Sequence, residues 1–316
     1  MTTTVTVSSA EKSTIVRTIP TRQQRLVRAT FRLLERRAPR VGAVWAERLW
    51  CKVPKVEARP SVAAAGTVAT LPLGEEDGAP RFVAESWGDG DAAPVVYLLH
   101  GWGGYRGQLG AFVAPLVDAG YRVVALDAPS HGESGPGRFG AGRGLLPEFI
   151  AALTAAVRVY GPAYGVVAHS LGGGAVALSV LDGMPASRLV LIAPLPDAIA
   201  YTRVFAEVFG FGERVRTGLL DRLERRVGRP MTDFNAVERA GDAAAARVDA
   251  AHDGGAVPLL VVHDRDDKVI PYGQGRAIAK AWQGAELLTT RGLGHRGVLR
   301  DTEVIRSAVD FLGVER

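Results

Sequence analysis

From residue 61 to the end of the 316-residue chain, short apolar runs alternate with stretches of helical periodicity. This constrains the fold more than any other feature of the sequence. Runs such as Val95–His100, Tyr121–Leu126, Tyr164–His169, Arg188–Ala193 and Pro258–His263 are only about six residues long. They lack the polar-out alternation of a half-exposed sheet, so they read as strands buried on both faces. Helical stretches at Gln108–Ala119, Leu146–Tyr160, Gly172–Leu181, Gly273–Trp282 and Thr302–Leu312 separate or follow them. Strands Val62–Leu73, Arg81–Trp87 and Ala285–Thr290 complete a set of eight. The pattern predicts an α/β fold with a mostly parallel eight-stranded sheet flanked by helices.

The rhythm breaks once. Residues 196–256 show only helical pattern, at Tyr201–Val208, Arg214–Val227 and Ala243–Ala251. An insert of this kind predicts a small helical cap above the sheet.

The region before residue 61 differs in character. Residues 1–20 read as a disordered tail, and residues 21–60 as a basic amphipathic helical arm broken at Pro39 into Thr21–Arg37 and Val41–Trp50. The first sixty residues hold thirteen Lys/Arg against four Asp/Glu, so +9 of charge sits there and −4 on the remainder, within a net charge of +5. The basicity therefore belongs to the arm. Two readings compete for it: an arm packed on its own domain with arginines snorkelling to water, or a helix lying on an anionic membrane through residues 21–50. Packing is favoured. No interleaved aromatic platform or recognition motif accompanies the charge, so nucleic acid is not expected as a partner.

Composition removes other classes. One cysteine, Cys51, excludes an intrachain disulfide and argues against cysteine-based metal sites. No phosphate-binding loop and no H-E-x-x-H pattern occurs, and Gly101-Trp102-Gly103 runs on to Arg106 instead of a dinucleotide fingerprint. With no apolar run of signal length near the N-terminus, a cytoplasmic location is expected.

Three loops at the C-terminal ends of strands carry the chemistry, which is where open α/β sheets place their sites. Ala168-His169-Ser170-Leu171-Gly172 joins a strand to a glycine-rich helix, and small residues around the serine allow a sharp turn. Taken alone, Ser170 equally suits a helix N-cap. His263–Pro271 offers Asp264, Asp266 and Asp267, which singly suit a solvated turn. Gly292–Gly297 contains His295. Serine, acid and histidine, each in a loop after a separate strand, make a far more specific set than any one of them. A glycine-rich loop, His100-Gly101-Trp102-Gly103-Gly104, follows another strand and can bring backbone N–H groups towards a developing oxyanion.

These loops, with Asp127-Ala128-Pro129-Ser130-His131-Gly132-Glu133-Ser134, resemble the α/β-hydrolase superfamily over about residues 62–316. Three positions depart from its pattern: Ala168, Ser130 and Asp264 stand where glycine is usual. The resemblance implies Ser170 as nucleophile, His295 as general base, Asp267 as the acid, and the backbone N–H groups of Trp102 and Leu171 as the oxyanion hole. It implies a serine hydrolase cleaving a carboxylic ester of small or medium acyl chain through an acyl-enzyme, with a small-molecule ester as partner. Such chemistry requires neither a metal nor an organic cofactor. Acyl transfer, thioester hydrolysis, perhydrolysis on the same triad, and a non-catalytic binding module of the same fold are the alternatives. Phe205, Phe209, Phe211, Leu219 and Leu220 in the cap either line an acyl pocket or dock the cap. His131, His169 and His252 read as structural or surface residues.

Overall fold

The computed structural model describes residues 22–54, 62–88, 90, 92–245 and 256–313. The tail expected over residues 1–20 and His252 lie outside the described residues. Eight strands form one sheet: β1 (Thr67–Pro72), β2 (Arg81–Trp87), β3 (Val95–Leu99), β4 (Arg122–Asp127), β5 (Ala163–His169), β6 (Ala186–Ile192), β7 (Leu259–Asp264) and β8 (Glu286–Thr290). Their order is β1-β2-β4-β3-β5-β6-β7-β8. Pairings are antiparallel at the β1 and β2 end and parallel from β4 to β8. Both faces are covered. The helices α4 (Leu146–Tyr160) and α5 (Leu171–Leu181) pack with Phe82, Tyr97, Leu99 and Leu191 on one side. On the other side α3 (Val113–Asp118) and the closing helix α9 (Thr302–Leu312) pack with Val96, Leu98, Val123 and Val190.

Several boundaries differ from the sequence reading, each for a local reason. The first strand begins at Thr67 and not at Val62; it lies at the sheet edge, and the residues before it are tied by side chains instead of a strand ladder, Trp87 Nε1 donating to Ala64 O and Gly66 N–H to Glu85 Oε1. The helix expected from Gln108 opens as a 3-10 turn over Arg106–Phe112, and α3 starts only at Val113. Pro115 lacks an N–H and so is tolerated only in the first turn of an α-helix. Pro39 does not keep the second arm helix waiting until Val41; it is the first residue of α2 (Pro39–Trp50), after α1 (Arg22–Arg37).

The cap consists of α6 (Ala198–Phe209), α7 (Glu213–Val227) and α8 (Ala236–Ala245). The third helix begins seven residues before the expected Ala243, because Asn235 Oδ1 accepts from the backbone N–H groups of Val237 and Glu238 and caps it. Residues 246–251 of that expected helix lie outside the described residues.

The arm is seated on the cap. Phe31 is buried against Phe209 and Phe211, with ring centroids 6.1 and 5.1 Å away. Arg28 Nη1 donates to the carbonyls of Glu207 and Val208 at 2.6 Å each. The Glu35 carboxylate accepts from the N–H groups of Gly212, Arg214 and Val215 at 2.9–3.1 Å, so a side chain of α1 caps the N-terminus of α7. Buried Glu47 pairs with Arg222 and Arg226 of α7. Gly42 lets α2 approach closely, since a Cβ there would stand 2.6 Å from Val215 Cγ2.

Candidate active site

Ser170 sits between β5 and α5 with φ 54° and ψ −121°, a left-handed conformation that costs a non-glycine residue energy. The strain is held by the surrounding backbone. Ser170 N–H donates to Ile192 O, while Ser170 O accepts from Gly173, Gly174 and Leu195. The helix that follows lies so close that a Cβ on Gly172 would stand 2.4 Å from His100 O. Ala168, at the usual glycine position, ends fully buried in β5 without disturbing the turn.

Of the three aspartates after β7, Asp267 is the one that reaches the histidine. His295 Nδ1 donates to Asp267 Oδ2 at 2.7 Å. The other carboxylate oxygen accepts from Val269 and Ile270 N–H at 2.8 and 2.9 Å. Burial by itself raises the Asp267 pKa, but hydrogen bonds from His263, His295 and Ile270 outweigh it and hold the group well below the usual carboxylate range. Asp264 instead ties the β7 and β8 loops together by accepting from Asp266 N–H, Thr290 Oγ1 and Leu293 N–H. Asp266 accepts from Gly292 N–H. The acidic cluster thus divides into one partner for the imidazole and two loop clamps.

The loop His100–Gly104 runs directly over the serine: a Cβ on Gly101 would lie 2.8 Å from Ser170 Cβ. His100 fixes the loop from below. Its Nδ1 donates to Gly101 O at 2.7 Å and its Nε2 accepts from Ala128 N–H at 3.0 Å. Burial lowers the His100 pKa to about 4, so the ring is neutral in the tautomer these bonds require. Leu171 is the first residue of α5, where N–H groups have no partner within the helix. Neither Trp102 N–H nor Leu171 N–H makes another hydrogen bond among the described residues. Both residues line the same cavity as Ser170 and His295. No hydrogen bond joins Ser170 to the His295 ring among the described residues, and such contacts commonly tighten only with substrate bound.

The turn after β4 is built on Asp127. Its carboxylate accepts from Arg106 and from Glu133 N–H, and Ser134 Oγ donates to its carbonyl. Ser130 adopts φ 63° where the resembled pattern has glycine.

The cavity above Ser170 measures about 460 Å³, within the ordinary range for small-molecule sites. Its roof is apolar. Phe205 and Leu220 of the cap line it, whereas Phe209, Phe211 and Leu219 pack between cap and arm, so both roles foreseen for these residues are filled by different members of the set. Leu49 and Trp50 of α2 also line the cavity, and Trp50 meets Phe205 edge-on at 5.1 Å. The sequence reading missed them by assigning the arm to a separate unit. Two histidines were also underread. His263 Nε2 approaches Asp267 Oδ2 at 3.5 Å, and His169 Nε2 donates to His295 O at 2.9 Å. His131 is buried against Trp102 and Phe149, consistent with a structural role. Among the described residues, no cluster of three or more His, Cys, Asp or Glu is arranged to hold a metal ion, and no helix is long and apolar enough to cross a membrane.

A parallel sheet carrying these loops in this order defines a known class, and the model of the alpha/beta hydrolase family matches residues 96–307. The chain belongs to that family. It is 28% identical over 279 residues to a non-heme chloroperoxidase of Streptomyces lividans, covering 76% of this chain and 96% of that protein. It is 26% identical over 266 residues to a bifunctional esterase/perhydrolase of Acinetobacter calcoaceticus, covering 73% and 94% respectively. Among solved structures, a hydrolase from Pseudomonas aeruginosa superposes with a TM-score of 0.56 at 20% identity, over 79% of this chain and all of that one (100%). Family and relatives support hydrolase activity.

Proposed function

We propose that the protein is a serine hydrolase that cleaves a carboxylic ester of small or medium acyl chain through an acyl-enzyme. The observation that carries this reading is the Asp267–His295 pair opening, with strained Ser170, onto one apolar cavity.

A serine hydroxyl is a weak nucleophile at neutral pH, so the step begins when the other ring nitrogen of His295, Nε2, takes the Ser170 proton. Oγ attacks the ester carbonyl, and the carbonyl electrons move onto oxygen. The N–H groups of Trp102 and Leu171 meet that charge, each worth roughly 3–4 kcal/mol of barrier. Asp267 keeps the Nδ1 proton in place and stabilises the imidazolium. His295 then returns the proton to the leaving alkoxide, which departs as alcohol. Water enters by the same route in reverse, and the acid is released.

Hydrolysis of short-chain p-nitrophenyl esters and covalent labelling by a fluorophosphonate probe test this directly. Both should vanish in Ser170→Ala. Absence of labelling in the unmodified protein refutes the reading.

The relatives' names favour a second use of the same acyl-enzyme. Hydrogen peroxide in place of water would carry the acyl group away as a peracid, as the esterase/perhydrolase name implies for that relative. Peracid formation from an ester and peroxide, lost with Ser170, distinguishes the two.

A further inference from the structure

The arm has a second face. Its inner side is committed to the cap, and both of its described acidic residues are turned inward: Glu35 onto the start of α7, Glu47 onto Arg222 and Arg226. What remains outside carries one sign of charge. Arg22, Arg32, Arg36, Arg37, Arg40 and Arg48 are exposed, and none has an acidic partner among the described residues. Large apolar side chains stand among them: Leu26 is 69% exposed, Leu33 59%, Val41 48% and Trp45 46%. Elsewhere among the described residues, the exposed large apolar side chains are all valines.

The helical positions make each of these a stripe along its helix and not a scatter. Leu26 and Leu33 lie seven residues apart, two turns along α1, with Arg22, Ala29 and Arg36 on the same side and buried Phe31 opposite. In α2, Val41, Trp45 and Arg48 share the outward side, while Ala43, Ala46 and Glu47 face in.

From this juxtaposition we infer that the outer face of the arm docks on an anionic lipid bilayer surface. Arginines snorkel towards lipid phosphates while Leu26, Leu33, Val41 and Trp45 enter the boundary between headgroups and chains. A nucleic acid matches the charge but offers nothing to aliphatic side chains held among the arginines. A second copy matches the apolar residues but brings an equal positive face against this one. The bilayer satisfies both. Because Leu49 and Trp50 of α2 line the cavity, docking would hold the site one helix diameter, ~10 Å, from the lipid.

The test is co-sedimentation of the full-length protein with vesicles of neutral phosphatidylcholine alone or with 30% phosphatidylglycerol. Binding should be confined to the anionic vesicles and weaken as salt rises. Arg32→Ser/Arg36→Ser/Arg40→Ser should lower affinity about 100-fold, roughly fivefold per arginine. Leu26→Ser/Leu33→Ser/Trp45→Ser should also release the protein, with circular dichroism and turnover of a soluble ester unchanged in both variants. Absence of binding, equal binding to neutral vesicles, or binding indifferent to both triple variants overturns the inference. So does a dimer, dispersed by the apolar triple variant, in a protein that ignores vesicles.

Discussion

The imidazole of His169 lies against that of His295, with ring centroids 4.5 Å apart, and its Nε2–H holds the His295 backbone carbonyl. Burial, and then the neighbouring His295, lower the His169 pKa to about 3, so the ring is a neutral donor throughout the working pH range. It positions the neighbouring imidazole and takes no proton. His169→Phe keeps a ring there and loses the donation. It should reduce kcat about tenfold with KM nearly unchanged, by a factor constant between pH 5 and 8. A loss confined to one side of that range would assign His169 a proton-transfer role instead.

The two kinds of aspartate after β7 should separate cleanly. Asp267→Asn removes the acceptor that fixes the Nδ1 proton and should cost roughly 10³–10⁴ in kcat. Asp266→Asn removes only a loop clamp and should cost less than tenfold. Asp264→Asn should act mainly on stability, because its three acceptances join two loops. Steady-state kinetics and thermal unfolding of the three variants read this out, and comparable kcat losses in all three contradict the assignment.

Trp50 limits the cavity from the arm side. Trp50→Ala should enlarge it and shift the preferred acyl chain by several carbons. The ratio of kcat/KM for octanoate to acetate esters should rise about tenfold, and an unchanged ratio would place the acyl group elsewhere.

Glu148 makes stability depend on pH. Burial pushes its carboxyl up to about 7, against the backbone N–H groups that draw it down, and its side chain is almost fully enclosed. A carboxyl whose folded pKa is raised binds more protons in the folded state, so its contribution is favourable below about pH 4.5 and is lost as pH rises through 7. Stability should fall by on the order of 2–3 kcal/mol between pH 4.5 and 8 from this group. Glu148→Gln should flatten that slope in urea titrations at pH 5 and 8. An equally steep slope in the variant would assign it to other groups.

The parallel sheet was legible because strands buried on both faces leave continuous apolar runs, and Arg81–Trp87, Leu146–Tyr160 and Thr302–Leu312 match the structure residue for residue. The loops bearing Ser170, Asp267, His295 and Trp102 were legible because their order and spacing are set by the strands. Helix starts were harder. Asn235 and Pro39 act as a cap and a first-turn residue, and periodicity is blind to both. The roof was least legible. An amphipathic pattern reveals that a helix has an apolar side but not what that side meets, so Leu49 and Trp50 gave no sign that they line a cavity built over Ser170. His169 was opaque for a related reason: its partner, His295, lies 126 positions along the chain.

Glu35 caps a helix whose first residues lie 177 to 180 positions further along the chain. During synthesis the arm is made before the cap, and Glu35 waits through more than half of the polypeptide before the N–H donors of α7 exist. Until then Phe31 and the outward leucines are exposed together, on a segment with no partner of its own. Closing the roof therefore depends on contacts of very long sequence separation, whose loop-closure entropy must be met before they form. A truncation at residue 50 would not trim an appendage; it would uncap α7 and open the cavity to solvent.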